Sequence, residues 1–259
     1  MEPRPKLIVA NWKMNKEVKE ARSFIIELKE KLKGNNKVKV VIAAPFTDLP
    51  ALVDLKSAKI YIAAQNLYPG EKGAFTGEIS GVMLKPLVSY VILGHSERRC
   101  LFGENDQLIK EKVKSALFFG LKPIICLGET AEEKEAGLSK QIVMKQLEIC
   151  LFPVDKNDIE KVVLCYEPVW AISSAPGSDG KGDSPENAQV MHRLIRHFVQ
   201  EKFGGEIADQ MLIIYGGSLK ETNAEAILKM PDIDGGLIGK SSLQIASFFD
   251  IIKIATELS

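Results

Sequence analysis

Apolar positions along the chain fall into short runs that alternate with longer amphipathic stretches. Continuous apolar runs bounded by turn residues are typical of strands buried on both faces, as in a parallel sheet. The eight runs that we interpret as strands are Leu7–Ala10, Val38–Ala44, Ile60–Ala64, Tyr90–Leu93, Lys122–Leu127, the stretch beginning Val162–Leu164, Met211–Tyr215 and Gly235–Ile238.

The stretches between these runs have helical spacing. In Glu17–Lys33 the apolar residues recur every three or four positions, and Gly34 follows as a stop signal. Thr47 and Asp48 are expected to cap a second helix that reaches Ser57. The other predicted helices are a short one through Val82 and Leu84, then Asp106–Phe119, Glu132–Cys150, Pro185–Phe203, Asn223–Lys229 and Ser242–Thr256.

Eight strand–helix units follow one another with no break in composition from residue 1 to residue 259. Such a repeat predicts a single-domain α/β protein folded as a (β/α)8 TIM barrel. An open doubly wound sheet is the alternative. It has less support, because no G-x-G-x-x-G motif follows an early strand.

Charge excludes several classes of partner. The chain has 34 basic and 34 acidic residues, so its formal net charge is zero. We therefore expect neither a nucleic-acid partner nor a membrane-surface partner. The first apolar run, Leu7–Ala10, is too short for a signal peptide, and no apolar run reaches transmembrane length.

Cysteine and histidine usage points to a cytoplasmic protein without a metal. The four cysteines form no C-x-x-C pair, so we interpret them as reduced thiols, with Cys126 as a small buried hydrophobe. The three histidines, His95, His192 and His197, have no zinc-type spacing. We predict no metal site and no cofactor.

One strand exit carries the strongest candidate for chemistry. Glu167 stands where the sixth strand should end, and Pro168 restricts its backbone to extended conformations. The following segment, 173–184, is rich in Gly, Ser and Asp, as expected of a mobile cover that excludes water from a base. Alternatively, Glu167 is a surface residue at an ordinary strand end.

Other polar residues follow the other strands. In a (β/α)8 barrel the active site lies at the carboxyl ends of the strands, so these residues should converge on one rim. They are Asn11 and Lys13 after the first strand, His95 and Glu97 after the fourth, Ser218 after the seventh and Gly239 after the eighth.

Several motifs in these segments, taken together, resemble the triosephosphate isomerase family and span nearly the whole chain in the family's order. They are ANWKMN (10–15), GAFTGE (73–78), GHSERR (94–99), FGE (102–104), CLGE (126–129), YEPVWAI (166–172), YGGS (215–218) and DGGL (234–237).

The resemblance implies interconversion of dihydroxyacetone phosphate and glyceraldehyde 3-phosphate, in glycolysis and gluconeogenesis. Glu167 would remove a proton from the carbon beside the carbonyl, and a neutral His95 would hydrogen-bond the oxygen of the enediolate. Lys13 would supply positive charge, Glu97 would pair with Lys13, and Asn11 would hydrogen-bond the substrate.

The resemblance also implies a phosphate site built from backbone N–H groups of Ser173, Ser218, Gly239 and Lys240, since glycine turns leading into helices suit anions. Two of these positions depart from the family pattern. Ser173 and Lys240 stand where the family usually has glycine, and the cover after Ile172 is several residues longer.

Homodimerisation is a further implication. In the family, the segment matching the glycine-rich loop Gln65–Glu78 reaches into a second subunit, which brings Thr76 near the partner's active site. Two alternatives stay open, because fold does not fix function. One is a phosphate-binding barrel isomerase with a bulkier substrate; the other is a barrel with reduced or lost turnover that acts as a binding protein.

Overall fold

The computed structural model describes residues 4–34, 37–151, 154–155, 157–172 and 182–259. Eight parallel strands close into a barrel in chain order, which confirms the (β/α)8 fold. The strands are β1 (Lys6–Asn11), β2 (Val38–Ala44), β3 (Ile60–Ala64), β4 (Tyr90–Leu93), β5 (Lys122–Leu127), β6 (Val163–Tyr166), β7 (Leu212–Tyr215) and β8 (Gly235–Ile238).

Helices surround the barrel. The α-helices are α1 (Val18–Lys31), α2 (Leu49–Leu52), α3 (Gly81–Leu84), α4 (Ser96–Phe102), α5 (Asp106–Phe118), α6 (Ala131–Glu135), α7 (Ser139–Leu151), α8 (Pro185–Phe203), α9 (Gly205–Gln210), α10 (Ala224–Leu228) and α11 (Ile245–Glu257). Short 3-10 helices cover Val53–Leu55, Ile159–Lys161, Val169–Ala171 and Lys240–Leu243. No helix in the described part of the chain has the length and apolar character needed to span a bilayer.

The strands present alternate side chains to two separate apolar layers, because successive side chains of a strand point to opposite faces. Leu7, Val9 and Val41 belong to the layer inside the barrel, together with Cys126 and Cys165. The intervening side chains pack outward against the helices. This double burial explains why the strands are continuous apolar runs.

The predicted helix Glu132–Cys150 is wrong, because it is two helices. After α6 the chain passes through Gly137 at φ +72°, a left-handed conformation that glycine adopts at little cost. The N–H of Gly137 donates to Lys134 and that of Leu138 to Glu133, which is the Schellman pattern at a helix end.

The predicted helix from Asp48 to Ser57 is also shorter than expected. It comprises α2 and one 3-10 turn that ends at Leu55, and Lys56 then turns to extended backbone at ψ 151°. Asp48 makes no side-chain cap, since its backbone is already in the helical region at φ −92° and ψ −26°. Capping side chains normally act from extended backbone.

Candidate active site

A cavity of about 300 Å³ opens at the carboxyl ends of the strands. The residues that line it include seven of the predicted site residues: Asn11, Lys13, His95, Glu167, Ser218, Gly239 and Lys240. Glu97 does not line the cavity but contacts Lys13, which does. Ser173 lies outside the described residues.

Lys13 is held in an unusual backbone conformation at the end of β1. Its φ of +52° lies in the left-handed region, which costs a residue with a side chain about 1–3 kcal/mol. Two side chains fix this turn. Gln65 Nε2 donates to the carbonyl of Lys13 at 2.9 Å, and the N–H of Lys13 donates to Asn11 Oδ1 at 3.1 Å. The strain is therefore maintained by contacts at the cavity itself.

The ammonium group of Lys13 is anchored from the fourth strand exit. Lys13 Nζ lies 2.5 Å from Glu97 Oε1, so the expected contact between these residues is present. The Lys13 side chain also passes close to Gly239, where an added Cβ would lie 3.5 Å from its Cε. The positive charge thus lies beside the turn after β8.

His95 is the N-cap of α4, as its position before Ser96 and Glu97 suggests. The N–H of Glu97 donates to His95 Nδ1 at 3.2 Å. Because Nδ1 accepts this bond, a neutral ring carries its proton on Nε2. His95 Nε2 lies 3.2 Å from Glu167 Oε1, so the donor and the carboxylate share one corner of the cavity.

Glu167 is almost completely buried, with 1% of its surface exposed. Its Oε2 accepts a bond of 3.0 Å from the N–H of Ser96. Its own N–H donates to the carbonyl of Leu127 at 2.7 Å, and an added Cβ on Gly128 would lie 1.8 Å from its carbonyl oxygen. The backbone at the end of β6 therefore packs closely against the end of β5, which fixes the position of the Glu167 carboxylate relative to the cavity.

The segment after Glu167 is tied to Glu129 at the end of β5. Trp170 Nε1 and the hydroxyl of Tyr166 both donate to Glu129 Oε1, at 2.9 and 3.1 Å. Burial, and next the charge of Glu129, raise the pKa of Tyr166 well above its usual range, so the phenol stays protonated. Trp170 is thus held at a fixed position just before the cover.

The residues proposed to bind phosphate, Ser218, Gly239 and Lys240, line the cavity at the turns after β7 and β8. The N–H of Ser218 donates to the carbonyl of Ala171 at 3.0 Å, which links the turn after β7 to the 3-10 helix that precedes the cover. The carbonyl of Gly239 accepts from the backbone N–H and hydroxyl of Ser242, at 2.9 and 2.7 Å. Lys240 begins the 3-10 helix after β8 with an exposed side chain.

Sequence reasoning missed three contacts of the site: the N–H of Ser96 on Glu167, Gln65 on Lys13, and the pair Cys126 and Cys165. Ser96 and Gln65 lie in segments already singled out, but nothing local says where their polar groups point. Both cysteines are fully buried, as expected of Cys126, and burial is the main reason why their thiol pKa values are raised.

Comparison with known proteins gives one consistent result. The family model described as "Triosephosphate isomerase" matches residues 6–255. A triosephosphate isomerase of Fusobacterium nucleatum subsp. nucleatum is 47% identical over 249 residues, which cover 95% of this chain and 97% of that protein. One of Cytophaga hutchinsonii is 45% identical over 253 residues, or 96% and 99% of the two chains. The chain belongs to the triosephosphate isomerase family.

Proposed function

We propose that this protein is an isomerase that interconverts dihydroxyacetone phosphate and glyceraldehyde 3-phosphate, a step of glycolysis and gluconeogenesis. Family membership supports the substrate. The observation that carries the chemistry is the corner of the cavity where the buried carboxylate of Glu167 meets His95 Nε2 at 3.2 Å. It combines a base with a neutral hydrogen-bond donor, which is what proton abstraction beside a carbonyl requires.

The proposed reaction begins with proton transfer. Glu167 takes a proton from the carbon beside the carbonyl, while the N–H of His95 donates to the oxygen that gains charge in the enediolate. Glu167 then returns a proton to the neighbouring carbon, while the hydroxyl proton of the first carbon passes, through His95 Nε2, to the oxygen that was the carbonyl. Base catalysis of this kind contributes about 10²–10⁴-fold, and one donor on a developing oxyanion about 10²–10³-fold.

Glu167 has to change partners to do this. Its Oε2 is bonded to the N–H of Ser96, away from a substrate in the cavity. We propose that substrate binding breaks this bond and brings the carboxylate into contact with the substrate. Lys13 and Asn11 then act from the opposite wall: Lys13 with its charge, and Asn11 with its NH2 group, because its oxygen accepts from Lys13.

We assign the phosphate of the substrate to the N–H groups of Ser218, Gly239 and Lys240, which lie at the turns after β7 and β8. The N–H of Ser218 has to leave the carbonyl of Ala171 in order to bind phosphate. Phosphate binding would therefore release Ala171, two residues before the cover. A contact from Ser173 stays a prediction.

The experiment that tests the proposed function is isomerisation of glyceraldehyde 3-phosphate in deuterium oxide, followed by a coupled assay and mass spectrometry. Proton transfer through Glu167 should give dihydroxyacetone phosphate that carries deuterium on carbon, because a carboxylic acid proton exchanges with solvent. A product with no deuterium at all would favour a hydride shift between the two carbons over proton transfer through an exchanging base. Phosphate binding without turnover would favour the binding-protein alternative.

We further propose a homodimer formed through the segment Gln65–Glu78, in which Thr76 approaches the partner's cavity. Phe75 at its tip is 45% exposed and packs on Tyr68 with ring centroids 4.4 Å apart, and Met14 beside the cavity is 95% exposed. Such apolar exposure is typical of interfaces.

The free state of all four cysteines supports a cytoplasmic location, which cell fractionation would test.

Size-exclusion chromatography with light scattering should give twice the mass of one chain. Phe75→Asp should shift the protein toward monomer, because it places a charge in the apolar contact. The matched control is Val190→Asp, since Val190 is 48% exposed but lies on α8, outside this segment. Equal behaviour of the two variants would contradict the proposed interface.

A further inference from the structure

Three side chains of metal-ligand type meet inside the barrel beside the cavity. The register of β5 and β6 places Cys126 directly opposite Cys165. Glu167 follows Cys165 by two residues, so its side chain leaves the strand end on the same face. The two Sγ atoms and one carboxylate oxygen of Glu167 all lie within 4.8 Å of one another.

Two sulfur atoms and one carboxylate oxygen are a ligand set for a thiophilic divalent cation. Tetrahedral Zn²⁺ with Zn–S distances of ~2.3 Å holds its ligands ~3.7 Å apart. The observed upper limit of 4.8 Å therefore requires an inward shift of at most about 1 Å. Mg²⁺ and Ca²⁺ prefer all-oxygen sites, so the set discriminates against them.

The surroundings favour a cation. Cys126 and Cys165 are fully buried and Glu167 nearly so. Oε1 of Glu167 lies 3.2 Å from His95 Nε2, but it receives no hydrogen bond of good geometry from the described residues. A divalent ion would compensate the charge of this carboxylate and of two thiolates, and its binding would release the two thiol protons.

Access is provided by Glu167. Of the three residues, it is the one that lines the cavity. A cation that enters the cavity therefore meets the carboxylate of Glu167, one oxygen of which lies within 4.8 Å of both sulfur atoms.

We propose that Cys126, Cys165 and Glu167 form an inhibitory binding site for a thiophilic divalent cation such as Zn²⁺. Occupation of the site ties up the carboxylate that we assign as the base, so turnover stops. The inhibitory effect rests on the proposed function, whereas binding of the cation does not.

The binding test uses Cd²⁺ as the probe, since cadmium bound to thiolates absorbs in the ultraviolet. All proteins carry Cys100→Ser, because Cys100 is an exposed thiol that would bind cadmium on its own. The parent should take up one Cd²⁺ per chain with the absorption of two thiolates. Cys165→Ala should lose at least half of that absorption, and Cys150→Ala, a matched change at a buried cysteine of α7, should lose none.

The inhibition test uses Zn²⁺ in the isomerase assay. Removal of a residue that only hydrogen-bonds to a metal ligand lowers metal affinity about 10–100-fold. Cys165 is proposed as a ligand itself, so Cys165→Ala should raise the half-inhibitory zinc concentration at least ~10-fold. Cys150→Ala should leave it unchanged. A chelator should restore turnover, and Mg²⁺ at the same concentration should have no effect.

The outcomes separate the two proposals. Loss of at least half of the cadmium absorption in Cys165→Ala, with no loss in Cys150→Ala, supports the site even if the protein lacks isomerase activity. Absence of the absorption, or equal zinc inhibition of Cys165→Ala and its parent, would overturn the site while leaving the proposed isomerase intact. If Cys165→Ala fails to fold, Cys165→Ser keeps nearly the same volume without the soft ligand and decides between these results.

Discussion

Replacement of Glu167 by glutamine should lower kcat by at least about 10²–10⁴-fold, the contribution of a general base, without unfolding the protein. Glutamine has the shape of glutamate and can still accept the bond from the N–H of Ser96. What it loses is the ability to take up a proton. The effect should therefore appear in kcat, whereas affinity for a phosphate-bearing inhibitor should change little.

The matched control is Glu129→Gln. Glu129 is also a buried carboxylate just beyond a strand, and it does not line the cavity. Its substitution weakens the bonds from Trp170 and Tyr166, so it should affect the cover but leave proton transfer in place. The measurements are steady-state kinetics and a thermal unfolding midpoint. Near-normal kcat in Glu167→Gln, or equal losses in both variants, would show that Glu167 is not the base.

The barrel could be predicted from sequence because its signal is local and repeated. Each strand is buried on both sides and is therefore apolar throughout, and each return helix has one apolar face. The errors occur where the competing signal is conformational. Gly137 divides one amphipathic stretch into α6 and α7 through its left-handed backbone. The helical backbone of Asp48 prevents the cap that its side chain suggests.

The candidate site could be predicted in outline because each residue directly follows a strand, and a barrel brings strand ends together. Contacts within the site depend on the conformation of each turn after its strand, which the sequence of that turn does not specify alone. The bond between Ser218 and Ala171 and the approach of Gly128 to Glu167 are of this kind. The facing of Cys126 and Cys165 depends on the register of β5 and β6, which the sequence of neither strand specifies alone.

Lys13→Met should reduce kcat/KM by about 10²–10³-fold, comparable to the loss of an oxyanion donor, and should also weaken phosphate binding. Methionine keeps most of the length of the side chain and removes its charge. The backbone strain at φ +52° is present in both proteins, so it cancels from the comparison. Glu97, which loses its bond from Lys13, has a side chain that is 34% exposed and can be solvated by water, so the unfolding midpoint should move only slightly.

The matched control is Lys240→Met at the same cavity. Lys240 is exposed, so its charge is screened by salt, and its proposed contact is a backbone N–H that methionine retains. We therefore expect a loss of no more than a few-fold, confined to KM. Kinetics at low and high salt would separate the two lysines, because the effect of Lys13 should persist when ionic strength rises. Equal losses in both variants would mean that Lys13 acts only as one more positive charge near the phosphate, and a loss of stability without a loss of turnover would mean that it is structural.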